Sequence, residues 1–168
     1  MPNKNVFHIS HYLKDGFRFV CNATYHVPTG KWIYSDLQET LMFSKHCGWV
    51  YAITSDDIIV KIGETGNPLG IRNTKKNSLN VVVESTKSRL GRLIYFPTGT
   101  DFVIRQALAN EENIKIYAKK CMPVKTSTII GGKRKQLTPR PNKEVELAYL
   151  DLFMELTGKH PKLNKARK

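Results

Sequence analysis

Cysteine is scarce in this 168-residue chain: Cys21, Cys47 and Cys121 are scattered, odd in number and without a CxxC pair. That argues against a disulfide framework and against a zinc knuckle, and it suits a reducing interior. Long apolar runs are missing as well. The start, MPNKNVFHISHYLKDG, has no signal-peptide core, and no stretch approaches the roughly 18 residues that a membrane span requires. The expectation is a cytoplasmic protein with no membrane partner. Acids are few: 14 Asp and Glu against 27 Lys and Arg leave a net charge of +13. A folded domain this basic often meets a polyanion, because phosphates attract positive surface without any sequence information. There is no internal repeat or low-complexity tract. GETGNPLG is glycine-rich, yet it lacks the GxxxxGK[ST] pattern of a nucleotide-binding loop.

What is present reads as a small α+β domain. FRFVCNATYHV and KWIYSDL, with PTG between them, predict a hairpin followed by a short helix near Asp36 to Lys45. Two strands follow from Trp49 to Gly63, and then a turn-rich basic loop, GETGNPLGIRNTKKNSLN. Ser85 caps a short helix over STKSRLGRL, and Thr100 caps another over TDFVIRQALANEE. IKIYAKKC alternates as a strand. PVKTSTIIGGKRKQLT predicts a hairpin turning at Gly131-Gly132, with a basic return arm. A helix from Lys143 to Thr157 closes at Gly158, and HPKLNKARK is a basic tail. Residues 1–47 are thus an N-terminal extension. Residues 48–168 form the main domain, with the basic hairpin at about 123–138 as an insertion.

The stretch GWVYAITSDDIIVKIG carries a lysine, Lys61, inside an otherwise apolar strand. With a turn at Ser55-Asp56-Asp57, counting back sets Tyr51 directly opposite Lys61. Opposed residues share a face, and an ammonium beside a phenol favours the ionised phenol. Such a tyrosine can accept a proton. The alternative is a lysine extending from an edge strand beside a packed tyrosine.

These residues resemble a known family. Trp49-Val50-Tyr51 followed by Lys61-Ile62-Gly63 is similar to the paired GIY and YIG elements of the GIY-YIG nuclease superfamily. Lysine replaces the second tyrosine, as in some restriction endonucleases and phage-encoded relatives. The late stretch ELAYLDLFMELTGKHPKLN resembles the family's closing motif, with Glu146 as its glutamate and Pro161 and Asn164 after it. The resemblance runs from residue 48 to residue 164. It implies a central three-stranded antiparallel sheet flanked by helices. The helical wheel bears on Glu146 independently. Glu144, Asp151 and Glu155 form one solvated stripe, whereas Glu146 falls on the side of Tyr149, Leu150 and Phe153. A carboxylate there needs a cation or a donor, which a metal ion or an arginine would supply.

The activity implied is divalent-metal-dependent hydrolysis of phosphodiester bonds in double-stranded DNA, with Mg²⁺ or Mn²⁺ held by Glu146. Tyr51 would be the general base, assisted by Lys61, and Asn164 would brace the site. Two arginines compete for the role on the phosphate. Arg89 lies near a helix N-terminus, where backbone N–H groups already favour anions; Arg72 follows Lys61 at the spacing of shorter members. Arg72, Lys75, Lys76 and Arg92 would grip phosphates. Lys133, Arg134 and Lys135 would do so on the hairpin, which is narrow enough for a groove. A bacterial or phage-infected cell is the setting implied, and a homodimer is allowed. His46 is near enough in sequence to reach the site, and His8 and His11 read as surface residues. The other readings are a DNA-binding module that kept the fold and lost catalysis, and an RNA-binding protein suggested by charge alone.

Overall fold

The computed structural model of the chain describes residues 7–26, 28, 31–36, 38, 48–65, 107–139 and 141–164. Among these residues the β-branched and aromatic segments form seven strands: β1 (Arg18–His26), β2 (Lys31–Ser35), β3 (Gly48–Ser55), β4 (Ile58–Thr65), β5 (Ile114–Cys121), β6 (Thr126–Ile130) and β7 (Lys133–Leu137). Among the described residues two named helices accompany them, α1 (Ser10–Leu13) and α2 (Asn142–Thr157). Residues 107–109 are also helical, within the stretch where a helix was expected from Thr100.

The first five strands make one sheet in the order β2-β1-β5-β3-β4, with every neighbouring pair antiparallel. The three central strands of the expected sheet are β5, β3 and β4. The N-terminal hairpin adds β1 and β2 to the free side of β5. β4 and β5 flank β3 and run the same way. Parallel strands need a long crossover, and residues 66–113 are long enough to provide it.

Apolar residues line both faces of the sheet, so β3 is buried along its whole length. One core gathers Val20, Cys21, Trp49, Tyr51, Ile53 and Ile116. The other, on the opposite face, joins Val50, Ala52 and Ile62 to Phe7, Tyr12 and Phe17 and to Tyr149, Leu150 and Phe153 of α2. Cys21 and Cys121 are buried thiols on opposite faces. Burial pushes the Cys21 thiol up to about 12, which makes it inert. α2 spans one residue more than the sequence suggests, starting at Asn142. It ends where Gly158 adopts a left-handed φ of 74° and donates its N–H to the Met154 carbonyl at 2.7 Å. Glu144, Asp151 and Glu155 are exposed on the far side, as the wheel requires. None of the described helices is long and apolar enough to cross a membrane.

The β3–β4 register corrects the expected one. The turn has two residues, not three: Asp56 and Asp57 both take left-handed φ values, 48° and 64°, and Ser55 pairs with Ile58. Two left-handed residues twist as the strands do, so this shorter turn wins. A bulge then intervenes. Thr54 pairs with Ile59 and Ile53 with Lys61, which leaves Val60 as the extra residue. Tyr51 therefore faces Gly63, and Lys61 faces Ile53.

The N-terminal segment does more than the sequence suggests. The Ile9 N–H donates to the Asp57 carbonyl and the Ile59 N–H to the Phe7 carbonyl, both at 2.9 Å, which covers the start of β4's outer edge. His8 and His11 are exposed, as expected. The helix expected near residues 36–45, the one capped by Ser85, the loop around 66–80, His46, and the tail at 165–168 lie outside the described residues.

Asp57 is held below the usual carboxylate range, first by its hydrogen bond from Lys115 at 2.9 Å. Lys115 is raised by the same bond. A depressed carboxylate stabilises the fold above its unfolded value of about 3.9 and stops doing so as pH falls below it. The raised lysine holds its contribution until pH climbs past about 10.5. Asp57→Asn, which keeps a turn-compatible residue, is expected to cost a few tenths of a kcal/mol at pH 7, because the pair is half-exposed. In urea denaturation the difference from wild type should vanish near pH 2.

Candidate active site

Tyr51 is 1% exposed, and its side chain lies across the Cα of Gly63, its partner on β4. A Cβ at position 63 would overlap the phenol hydroxyl and stand 2.9 Å from Cε1 of the ring. Only glycine admits the phenol here, because a side chain at 63 would occupy the same space. Lys61 is half-buried on the same face, opposite Ile53 and hence diagonal to Tyr51. Diagonal neighbours are about 7–8 Å apart, within reach of a long amine and an aromatic ring. The expected juxtaposition of amine and phenol thus becomes a diagonal one, because the shorter turn and the bulge each shift the register by one residue.

Glu146 is half-buried on the sheet-facing stripe of α2, one turn after Asn142 and one turn before Leu150. Asn142 is buried at the helix start. It packs so tightly on Gly48 that a Cβ there would stand 2.6 Å from its Cγ, and it donates a hydrogen bond to the Glu64 carboxylate. Glu64 is thus bonded to Asn142, and Glu146 lies one helical turn beyond Asn142 on α2. α2 packs on the face of Val50 and Ile62, whereas Tyr51 and Lys61 belong to the other face. Gly63 and Glu64 are consecutive, so β4 passes from the phenol's side to the carboxylates' side in one residue. Among the described residues, no three His, Cys, Asp or Glu side chains gather as a metal-binding group.

Asn164 acts on the backbone of β4. Its side chain accepts from the Ile62 N–H and donates to the Ile62 carbonyl, both at 2.8 Å, as a neighbouring strand would. The Leu163 N–H donates to the Val60 carbonyl at 2.8 Å, and Pro161 is buried beside the turn. Ile62 lies between Lys61 and Gly63, so this clamp fixes the two residues on which the phenol's surroundings depend.

Other phenols on the α2 face are held neutral. Burial first and Tyr149 and Asp15 next raise Tyr12, whose hydroxyl donates to the Tyr149 carbonyl at 2.9 Å. Burial and then Asp15 raise Tyr149, which accepts from Lys119 at 2.9 Å and donates to Asp15 at 3.2 Å. These groups tie α1, β5 and α2 together. Lys133, Arg134 and Lys135 lie on β7, every residue of which is exposed. Arg72, Lys75, Lys76, Arg89 and Arg92 lie outside the described residues.

No family model and no curated protein matches the chain. Two solved structures are similar to it. "Restriction endonuclease HPY188I in complex with product DNA" superposes with a TM-score of 0.50 and 20% identity, over 94% of this chain and 86% of that one. "Structure of bacteriophage T4 EndoII E118A mutant" gives 0.47 and 16%, over 88% of this chain and 95% of that one. The first likeness shows a shared fold.

Sequence reasoning missed Glu64 and Asn142. Glu64 directly follows the Lys-Ile-Gly element, but only the register places it on the helix side. Nothing in the sequence marks Asn142 beyond its position at the helix start. Gly63→Ala should displace the phenol and cost about 1–3 kcal/mol in chemical denaturation. Gly48→Ala should cost a similar amount. Asn142→Gly, which removes the side chain it strikes, should reduce that loss and give a coupling of about 0.5–3 kcal/mol in a double-mutant cycle.

Proposed function

We propose that this chain is a divalent-metal-dependent endonuclease of the GIY-YIG type, hydrolysing phosphodiester bonds of duplex DNA. The observation that carries the proposal is the Tyr51 phenol laid across Gly63 with the Lys61 amine diagonal to it. The fold shared with a restriction endonuclease solved with product DNA supports it, as does the charge of +13. Glu146 and Glu64 offer hard oxygen donors at one end of α2, a set that suits Mg²⁺ or Mn²⁺. When bound, the cation supplies positive charge beside the departing 3′ oxygen.

The chain's own residues divide the remaining work. In this reading Tyr51, buried in the free protein, is the base that takes the proton of the water whose oxygen attacks phosphorus once DNA opens a path to it, and the carboxylates on the α2 face reach the same phosphate across β4, the edge strand. The bond to the 3′ oxygen breaks and that oxygen is protonated from solvent. Lys61, diagonal to Tyr51 on the same face, is the amine that assists it. Arg89 or Arg72 meets the charge growing on the phosphate. Asn164 holds β4 in register so that the phenol stays over Gly63. Arg72, Lys75, Lys76 and Arg92, together with the basic hairpin, grip the backbone.

Incubation of supercoiled plasmid with Mg²⁺ tests the proposal. Wild type should cut, and EDTA should stop it. Tyr51→Phe should slow cutting by about 10²- to 10⁴-fold, and Glu146→Ala should abolish it while gel-shift binding in EDTA persists. Clean wild-type protein that binds duplex but leaves several substrates uncut would make the chain a binding module of the same fold.

A further inference from the structure

The β6–β7 ribbon stands apart from both cores. Every residue of its two strands is exposed, and Ile129 is 73% and Ile130 47% exposed. A lone two-stranded hairpin is marginally stable in water, and it exposes apolar side chains at a cost. The sequence from Met122 to Lys143 contains Lys125, Lys133, Arg134, Lys135, Arg140 and Lys143 and no acid. The occupant that fits such a surface is a polyanion, and the grooves of duplex DNA admit a two-stranded ribbon.

The register sorts the ribbon into two unlike faces. Directly opposed residues share a face. Ser127 pairs with Gln136 and Ile129 with Arg134, which puts these four on one side. Thr128 pairs with Lys135 and Ile130 with Lys133, which puts these four on the other. The first set holds the side-chain chemistries that read base edges. Arginine forks onto guanine, glutamine onto adenine, serine bonds to either, and an apolar side chain meets the thymine methyl. The second set carries Lys133 and Lys135 beside Thr128 and Ile130; a lysine lacks the planar fork of arginine and suits phosphate as a point charge, a contact that carries no base information. The Gly131-Gly132 turn, with φ values of 58° and 74°, keeps the tip narrow.

We infer that the β6–β7 ribbon is the sequence-reading element of this protein. Its Ser127–Ile129–Arg134–Gln136 face lies on the floor of the major groove, and Lys133 and Lys135 reach the flanking phosphates. The inference rests on the duplex-DNA reading above and adds to it the source of specificity. It does not depend on the catalytic residues.

Selection of bound duplexes from a random-sequence library, with the full chain in EDTA, tests it without cleavage. Wild type should enrich a motif. Arg134→Ala should lower discrimination at one guanine position about ten- to a hundredfold, and Gln136→Ala should relax an adenine position. Lys133→Ala should keep the motif, weaken binding to all sequences alike and reduce the salt slope by about 1. All three residues are exposed, and unchanged thermal melting will verify that the variants fold. No enriched motif from wild type, or the same motif from Arg134→Ala and Gln136→Ala, overturns the inference. Plasmid cutting by the same preparations separates the two readings. Cutting with a motif indifferent to the ribbon sinks the ribbon alone, and a ribbon-dependent motif without cutting sinks the nuclease alone.

Discussion

The pairing of β3 with β4, slipped by one residue at Val60, is the contact on which the rest of the molecule depends. It sets Tyr51 over a glycine rather than over the lysine, and it keeps Lys61 on the same face one step away. Both motif glycines then have a physical reason in contact rather than in backbone freedom. Gly63 leaves room for a phenol, and Gly48 leaves room for the carboxamide of Asn142. Neither position has a positive φ among those recorded for the chain's glycines. A side chain at either would strike a buried group in the middle of a sheet buried on both sides.

The outer edge of β4 shows how the register is held. An unpaired edge would slide, because one face of a strand differs from the other by a single residue of slip. Here Phe7 and Ile9 bond to the beginning of the edge, and Leu163 and Asn164 bond to its middle. The asparagine side chain offers one donor and one acceptor in the plane of an amide, the same pair that a neighbouring backbone would present. Among the described residues, the beginning and middle of this edge are therefore satisfied without another strand.

Much of this was legible in the residues. The strands IKIYAKKC and KWIYS, the Gly-Gly hairpin and the helix closed by Gly158 follow from alternation and turn chemistry, and the structure has them within a residue or two. Glu146 on the sheet-facing stripe was legible from the wheel. The register was not: a two-residue Asp-Asp turn and a compensating bulge leave no mark in the hydrophobic pattern, which tolerates either count. The short helix α1 was hidden for another reason. Four residues are too few to show a period, and its burial comes from Phe7, Ile9 and Tyr12 packing on distant parts of the chain. Asn142 and Glu64 are 78 residues apart, and only the fold makes them neighbours.

The molecule also separates what it buries from what it offers. Tyr51 is enclosed, while the β6–β7 ribbon is open on both sides. The chain enters the ribbon from β5, whose last residue, Cys121, pairs with Gly48 of β3, and leaves it into α2.

The clamp on β4 carries a consequence for synthesis. Asn164 is 102 positions beyond the residue it holds. A growing chain emerging from the ribosome lacks that lock until position 164 has cleared the exit tunnel, so until then the edge of the strand bearing Lys61 is held at its beginning by Phe7 and Ile9 but not at its middle.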